Sequence, residues 1–245
     1  MRPDVPRYVH QDHPLGIATV PERVPLAWMA WSSGKDSLWA LHLVRQSNTC
    51  EVVGLLTTVT EAFGRVSMHG VRESLLFAQA EALGLPLHRV PIPTPCSDGD
   101  YESLMDKAMA EAKALGVTGI VFGDIHLAGV REHREKQLAR AGMRGIFPLW
   151  GRDPAAVAHE MIDSRVGAYV TCLDPRKTPR DLAGHAFDAE LLARLPEDVD
   201  PCGENGEFHT FVWEGPGYGA PIAVELGETV ERDGFVFTDL LPAGR

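Results

Sequence analysis

Apolar residues follow two rhythms along this 245-residue chain. Short unbroken apolar runs alternate with stretches where apolar positions recur every three or four residues. The first rhythm fits a strand buried on both faces, and the second an amphipathic helix. The spacing predicts a strand over 26–31, a helix over 35–45 and a strand over 52–56. Val71, Leu75, Ala78 and Ala82 mark one helix face, and 87–92 is a strand. Leu104, Ala108, Ala112 and Leu115 mark another helix face, which Gly116 ends. A strand over 119–122 and a helix over 130–141, stopped by Gly142, complete the series.

Such alternation predicts an α/β fold, a Rossmann-like parallel sheet with helices on both faces. Ligands of such sheets sit at the carboxyl ends of the strands, near the point where strand order reverses. The pattern weakens after about 149. A helix over 154–164 and a strand over 168–173 lead into a loop-rich tail. The expected organisation is an irregular arm over 1–25, which carries five prolines, a nucleotide-type domain over 26–145 and a smaller α+β region over 146–240.

Between the first strand and helix lies a polar knot, Ser32-Ser33-Gly34-Lys35-Asp36-Ser37. A helix N-terminus offers unpaired N–H groups and the positive end of the macrodipole. Gly34 allows an anion close to the backbone, the hydroxyls donate, and Lys35 adds charge. The physical reading is a phosphate cradle. The plainer one is a serine-capped helix with Asp36 on its dipole. A Walker loop would need glycine at Met29 and Ser/Thr at Asp36, and G-x-G-x-x-G is absent.

Further polar groups fall where strands end. His69, within Met68-His69-Gly70, follows the second strand. Gly123-Asp124 follows a later one, and the aspartate there either binds Mg²⁺ or forms an Asx-turn. Arg131 and Glu135, four apart on the next helix, form a surface ion pair or turn the arginine toward an anion. The tail segment "DPCGENGEFHTFV" gathers Glu204, Asn205, Glu207, His209 and Thr210 around two glycines. Strand alternation puts Glu207 and His209 on one face. Cys202 has no evident local base and is not expected to be a nucleophile.

S-S-G-K-D-S resembles the signature of the PP-loop ATP pyrophosphatases, with Ser33 where the usual form has its first glycine. M-H-G, F-G-D-I, P-L-W at 148–150 and C-G-E-N-G-E-F-H-T extend the resemblance, in order over 26–220, to the diphthine–ammonia ligase family. It departs from that family at H-L-A-G-V-R-E-H, ahead of the arginine-bearing helix. The resemblance implies an adenine nucleotide alpha hydrolase-like fold and an ATP-dependent, amide-forming ligase. A carboxylate would be adenylated with loss of pyrophosphate, and ammonia would then displace AMP. The implied nucleotide-site residues are Ser32, Ser33, Gly34, Lys35, Asp36, Ser37, Thr57, His69, Gly123 and Asp124, with Asp36 and Asp124 as Mg²⁺ ligands. Lys35, Glu207 and His209 are the implied catalytic residues. Arg131, Glu135, Glu204, Asn205 and Thr210 are the implied contacts to acceptor or ammonia. Two other classes stay open: a PP-loop tRNA-modifying enzyme and a non-catalytic ATP-binding module.

Composition narrows the partners. Hydrophobic residues are 44% and charged residues 23%, ordinary for a soluble globular chain. The formal charge of −11 argues against a nucleic-acid partner. No apolar run reaches the ~18 residues of a membrane span, and the N-terminus lacks a signal-like apolar stretch. A cytoplasmic protein is expected, with a homodimer allowed. Four dispersed cysteines read as reduced thiols. Lysine is scarce, five against eighteen arginines, as in a GC-rich genome. The implied acceptor is diphthine on elongation factor 2. A bacterial source would lack it, and the acceptor would then be another carboxylate.

Overall fold

The computed structural model describes residues 24–244. The arm expected over 1–25 lies outside the described residues except for its last two. The order of elements is β1 (Leu26–Ala30), α1 (Lys35–Ser47), β2 (Glu51–Thr60), β3 (Arg65–Val66), α2 (Glu73–Leu83), β4 (Leu87–Ile92), α3 (Asp98–Ala114), β5 (Val117–Val121), α4 (Ala128–Arg140) and β6 (Arg144–Ile146). Then come α5 (Pro154–Asp163), β7 (Gly167–Leu173), α6 (Ala189–Arg194), β8 (Phe208–Glu214), β9 (Val224–Arg232) and β10 (Phe235–Pro242).

The first sheet is α/β as expected. Its parallel strands run β4-β2-β1-β5-β6, and the short β3 pairs antiparallel with the end of β2. The chain builds outward from β1 through β2 to β4, then crosses to β5 on β1's other side. Strand order therefore reverses at β1/β5. Alternation along β1 divides the core in two. Ala27, Met29 and Trp31 pack with α1, α2 and α5, whereas Trp28 packs with Val90, Ala108, Met109 and Leu138 on the opposite face.

The second sheet is antiparallel, in the order β8-β7-β10-β9. It shares the α1/α2 core through Val170, Phe208, Phe211, Val212 and Val236. Helices α1 and α2 thus lie between the two sheets, in contact with β8 and β10 respectively. The loop-rich tail expected after the last helix instead holds the β9–β10 hairpin. Its turn is Asp233-Gly234, both at positive φ, which is the chemistry of a tight hairpin. The helix face marked by Val71, Leu75, Ala78 and Ala82 is rotated. Val71 precedes α2, and the buried face is Leu75, Leu76, Gln79, Ala80 and Leu83. A polar residue, Gln79, sits in the middle of that buried face, and this hides the true stripe from a hydrophobic reading.

Gln79 is fully buried and joins the layers. Its Oε1 accepts from Trp31 Nε1 at 2.9 Å. Its Nε2 donates to Ser33 O at 3.0 Å and to Val212 O at 2.7 Å. One amide therefore ties the end of β1, the following loop, α2 and β8. Buried polar groups left unpaired cost about 1–3 kcal/mol each. Gln79→Leu leaves Trp31 Nε1 without a partner and takes one of two donors from Ser33 O and from Val212 O, so it should lower unfolding stability by about 1–3 kcal/mol. A shifted urea midpoint at constant m-value is the expected result.

Candidate active site

The loop 32–37 leaves the carboxyl end of β1 beside the strand-order reversal. Its backbone is pulled toward the second sheet rather than left free. Val212 N–H donates to Ser33 O at 2.9 Å, and Lys35 N–H donates to Thr210 Oγ1 at 3.1 Å. Thr210 is buried and, from β8, supplies the acceptor that Gly34, the N-cap of α1, has no side chain to offer. Close approach sets the small residues here. A Cβ on Gly34 would lie 3.2 Å from Thr210 O and 3.3 Å from His69 Cε1. One on Gly123 would lie 2.9 Å from the Asp36 carbonyl.

Ser33 is an exception to that economy. Its φ is +69°, a left-handed conformation that costs a side-chain-bearing residue about 1–2 kcal/mol. Its Oγ is buried with no hydrogen-bond partner. The backbone thus has the shape a glycine would suit, at the position where the related signature has glycine. Ser32 Oγ lies 3.2 Å from Ser37 Oγ, which donates to Gly34 O at 2.8 Å.

Lys35 does not extend across the open loop. Its ammonium is 1% exposed, 3.0 Å from both Asp36 oxygens and 2.5 Å from Cys202 O, against the rings of Phe187 and Phe208. Burial lowers its pKa most, but the Asp36 charge and hydrogen bond, Cys202 and Glu204 together outweigh it and the net direction is upward, so the charge is held firmly. Asp36 is raised by burial against the pull of Lys35. Burial also pushes the Cys202 thiol up, and its Sγ faces Pro154 O, consistent with an inert cysteine.

Gly123-Asp124 follows β5. The Asp124 carboxylate pairs with Arg134 at 2.9 Å and is raised by burial, with Asp36 adding to the rise. Glu204 Oε1 accepts from Ile125 N–H at 2.8 Å. Burial, together with Asp36 and Asp124, lifts the Glu204 carboxyl to about 6. Asp36, Asp124 and Glu204 therefore sense one another. Among the described residues no three His, Cys, Asp or Glu side chains converge closely enough to cage a metal ion.

Over these strand ends opens a cavity of about 350 Å³, within the usual size of a small-molecule site. Its floor includes Ala30, Trp31, Leu56 and Thr57, and its apolar wall Met105, Ile120 and Phe122. Ser32, His69, Arg134 and His209 supply polar groups. Thr57 Oγ1 is committed to Trp31 O at 2.8 Å, so this residue shapes the floor rather than offering a free hydroxyl. His69, from the β3–α2 loop, and His209, from β8, place their rings 4.5 Å apart. His209 is pushed down to about 4 by burial and then by Lys35. His69 is held well below its ordinary value by burial, then by His209. Both imidazoles are neutral acceptors at neutral pH.

Other expected residues lie elsewhere. Arg131 pairs with Glu135 at 2.8 Å and stacks over Phe147 and Trp150, outside the cavity lining. Arg134, one turn further on, is the α4 arginine that reaches the cavity, over the Phe122 ring. Asn205 is exposed and donates to Glu207 Oε1 at 3.0 Å. Glu207 is buried just ahead of β8, not within it. Sequence reasoning also passed over His126, whose Nε2 meets Asp200 at 2.7 Å, and Gln79. His126 lies three residues beyond Gly123, close enough to have been flagged.

Residues 27–145 match the family model described as "Diphthamide synthase N-terminal domain". The chain is 31% identical over 169 residues to a diphthine–ammonia ligase of Danio rerio, covering 62% of this chain and 65% of the relative. It is 28% identical over 176 residues to that of Bos taurus (64% and 65%) and 29% over 170 residues to that of Homo sapiens (62% and 62%). The likeness carried by the motifs is thus shown. The chain spans just under two thirds of the length of these relatives. No helix among the described residues is long and apolar enough to cross a membrane.

Two outcomes follow from this geometry. Ser33→Gly removes both the left-handed strain and the orphan hydroxyl, so thermal unfolding should show a gain of about 1 kcal/mol. His209 binds its proton less readily folded than unfolded. Its contribution to stability is therefore present above the unfolded value near 6.5 and lost as pH falls toward about 4. Across that window the wild type should lose about 3 kcal/mol that His209→Gln does not lose, read from urea melts at each pH.

Proposed function

We propose that this chain is an ATP-dependent, amide-forming ligase of the diphthine–ammonia ligase type. In this reading a substrate carboxylate attacks the α-phosphorus of ATP and pyrophosphate leaves. Ammonia then attacks the acyl carbon, AMP leaves, and the amide nitrogen gives up its extra proton. The observation that carries the reading is the convergence of the loop 32–37 and the C-G-E-N-G-E-F-H-T segment on one cavity, through Thr210 and His209. Residues 26–145 would form the nucleotide half and 146–240 the acceptor half.

The residues suit these roles. Ser32, Gly34 and the start of α1 form a glycine-bearing helix N-terminus with no side chain at its N-cap, the arrangement that receives phosphate oxygens. Lys35 sits behind the loop as a fixed positive charge, and fixed charges stabilise a leaving anion without reorganisation. The apolar wall from Met105 to Phe122 suits a base, and Arg134 faces the same space. Asp36 and Asp124 would hold Mg²⁺, which when bound neutralises phosphate charge. Burial raises both carboxylates and the Asp36 charge adds to the rise at Asp124, a cost that a bound cation would relieve. The acceptor would be diphthine on elongation factor 2 where that residue exists, and another carboxylate elsewhere.

The test is formation of AMP and pyrophosphate from Mg-ATP, with ammonium and a panel of carboxylates including a diphthine peptide. AMP release that depends on carboxylate and ammonium is expected, and Lys35→Ala should lower kcat by about 10²–10³-fold. ATP binding without turnover across the panel would mean a binding module instead. Unchanged turnover in Lys35→Ala would remove the role given to that lysine.

A further inference from the structure

Arg134 is a cavity cation whose hydrogen bonding the fold leaves incomplete. It lines the cavity above the strand ends, with its guanidinium 4.4 Å from the centre of the Phe122 ring. Nη2 donates to Asp124 Oδ1 at 3.2 Å. Nε lies 2.9 Å from Asp124 Oδ2, yet both atoms are buried and neither has a hydrogen-bond partner. The pair is close without the alignment of the two-pronged fork that binds a guanidinium most firmly to a carboxylate. A guanidinium carries five N–H bonds, and among the described residues this one uses a single bond.

The other cations are committed. Among the described residues lining the cavity, Arg140 is the only other one, and it is 59% exposed and paired with Glu102 at 3.1 Å. Lys35 is taken up by Asp36 and Cys202 O. Position then narrows what Arg134 can meet. It stands over Phe122, at the end of the apolar wall that suits a base. Its tether, Asp124, follows Gly123, where an added Cβ would lie 2.9 Å from Asp36 O and 3.1 Å from Ser37 N. The guanidinium is therefore placed between the base wall and the loop 32–37. In ATP the charged group between base and pyrophosphate is the α-phosphate. We propose that Arg134 binds the α-phosphate of the nucleotide through the N–H groups that Asp124 leaves free. The inference rests on the nucleotide reading of this cavity and divides its anions: the loop receives the pyrophosphate, and Arg134 keeps hold of the AMP portion. Arginine suits that task because its fork matches two phosphate oxygens at once.

The test is calorimetric titration of the full chain with AMP, adenosine and Mg-ATP, comparing wild type with Arg134→Met. AMP and Mg-ATP should each bind about tenfold more weakly to the variant, with adenosine affinity unchanged. Should that variant unfold, Arg134→Lys keeps a charge beside Asp124 and loses only the fork, and its AMP affinity should still fall about threefold. Equal weakening of AMP and adenosine would mean that Arg134 only supports the wall, and would overturn the proposal. Unchanged AMP affinity would overturn it too, and a loss confined to Mg-ATP would move the contact to the pyrophosphate. A wild type that binds none of the three would remove the nucleotide reading itself, whereas wild-type binding matched by the variant removes the role of Arg134 alone.

Discussion

The site depends on one seam, where the loop after β1 is sewn to β8. Four bonds make it: Val212 N–H to Ser33 O, Lys35 N–H to Thr210 Oγ1, and the Gln79 amide to both Ser33 O and Val212 O. None joins two residues of the loop. A six-residue loop around a glycine would otherwise sample many conformations. Here a strand from 175 residues later fixes it. Forming the second sheet therefore shapes the loop at the first sheet's strand ends, so the ranges 26–145 and 146–240 are not separable in the way their sequence suggests.

Charge follows the same logic. Lys35, Asp36, Asp124, Arg134 and Glu204 gather at the seam, and burial would expel each alone. They persist as paired charges: Lys35 with Asp36, Asp124 with Arg134, and Glu204 on backbone N–H groups. The histidines take the other course and stay neutral. The result is a cavity with fixed cations on one side and hydrogen-bond acceptors on the other. That division is what the proposed reaction would require, in which an anion leaves and an amine arrives.

The first sheet was legible because strands buried on both faces are written as unbroken apolar runs, and 26–31 and 119–122 appear that way, whereas the edge strand 87–92 carries His88 and Arg89. The hairpin β9–β10 was not legible, because both strands are half-exposed and carry charges, and Gly227 interrupts the first. Its Asp233-Gly234 turn was the missed signal. In the site, the loop and the tail segment could be named from residue types. Their meeting could not, since Thr210 Oγ1 reaching Lys35 N–H is a contact of tertiary structure. The choice between Arg131 and Arg134 was hidden for a related reason. Both lie on α4, and only the helix's rotation, set by Leu138 packing into the core, turns Arg134 inward.

Ser33 shows where the two levels disagree in an informative way. Local propensity disfavours serine at φ +69°, and burial disfavours its unpaired hydroxyl. The fold holds it because Ser33 O is clamped by Gln79 and Val212, leaving the residue no other conformation. The strain is therefore stored in the loop by α2 and β8, outside the loop itself. A chain that keeps a strained residue in this loop keeps the backbone carbonyl where the seam needs it. The side chain is incidental to that requirement, and glycine would meet it at lower cost.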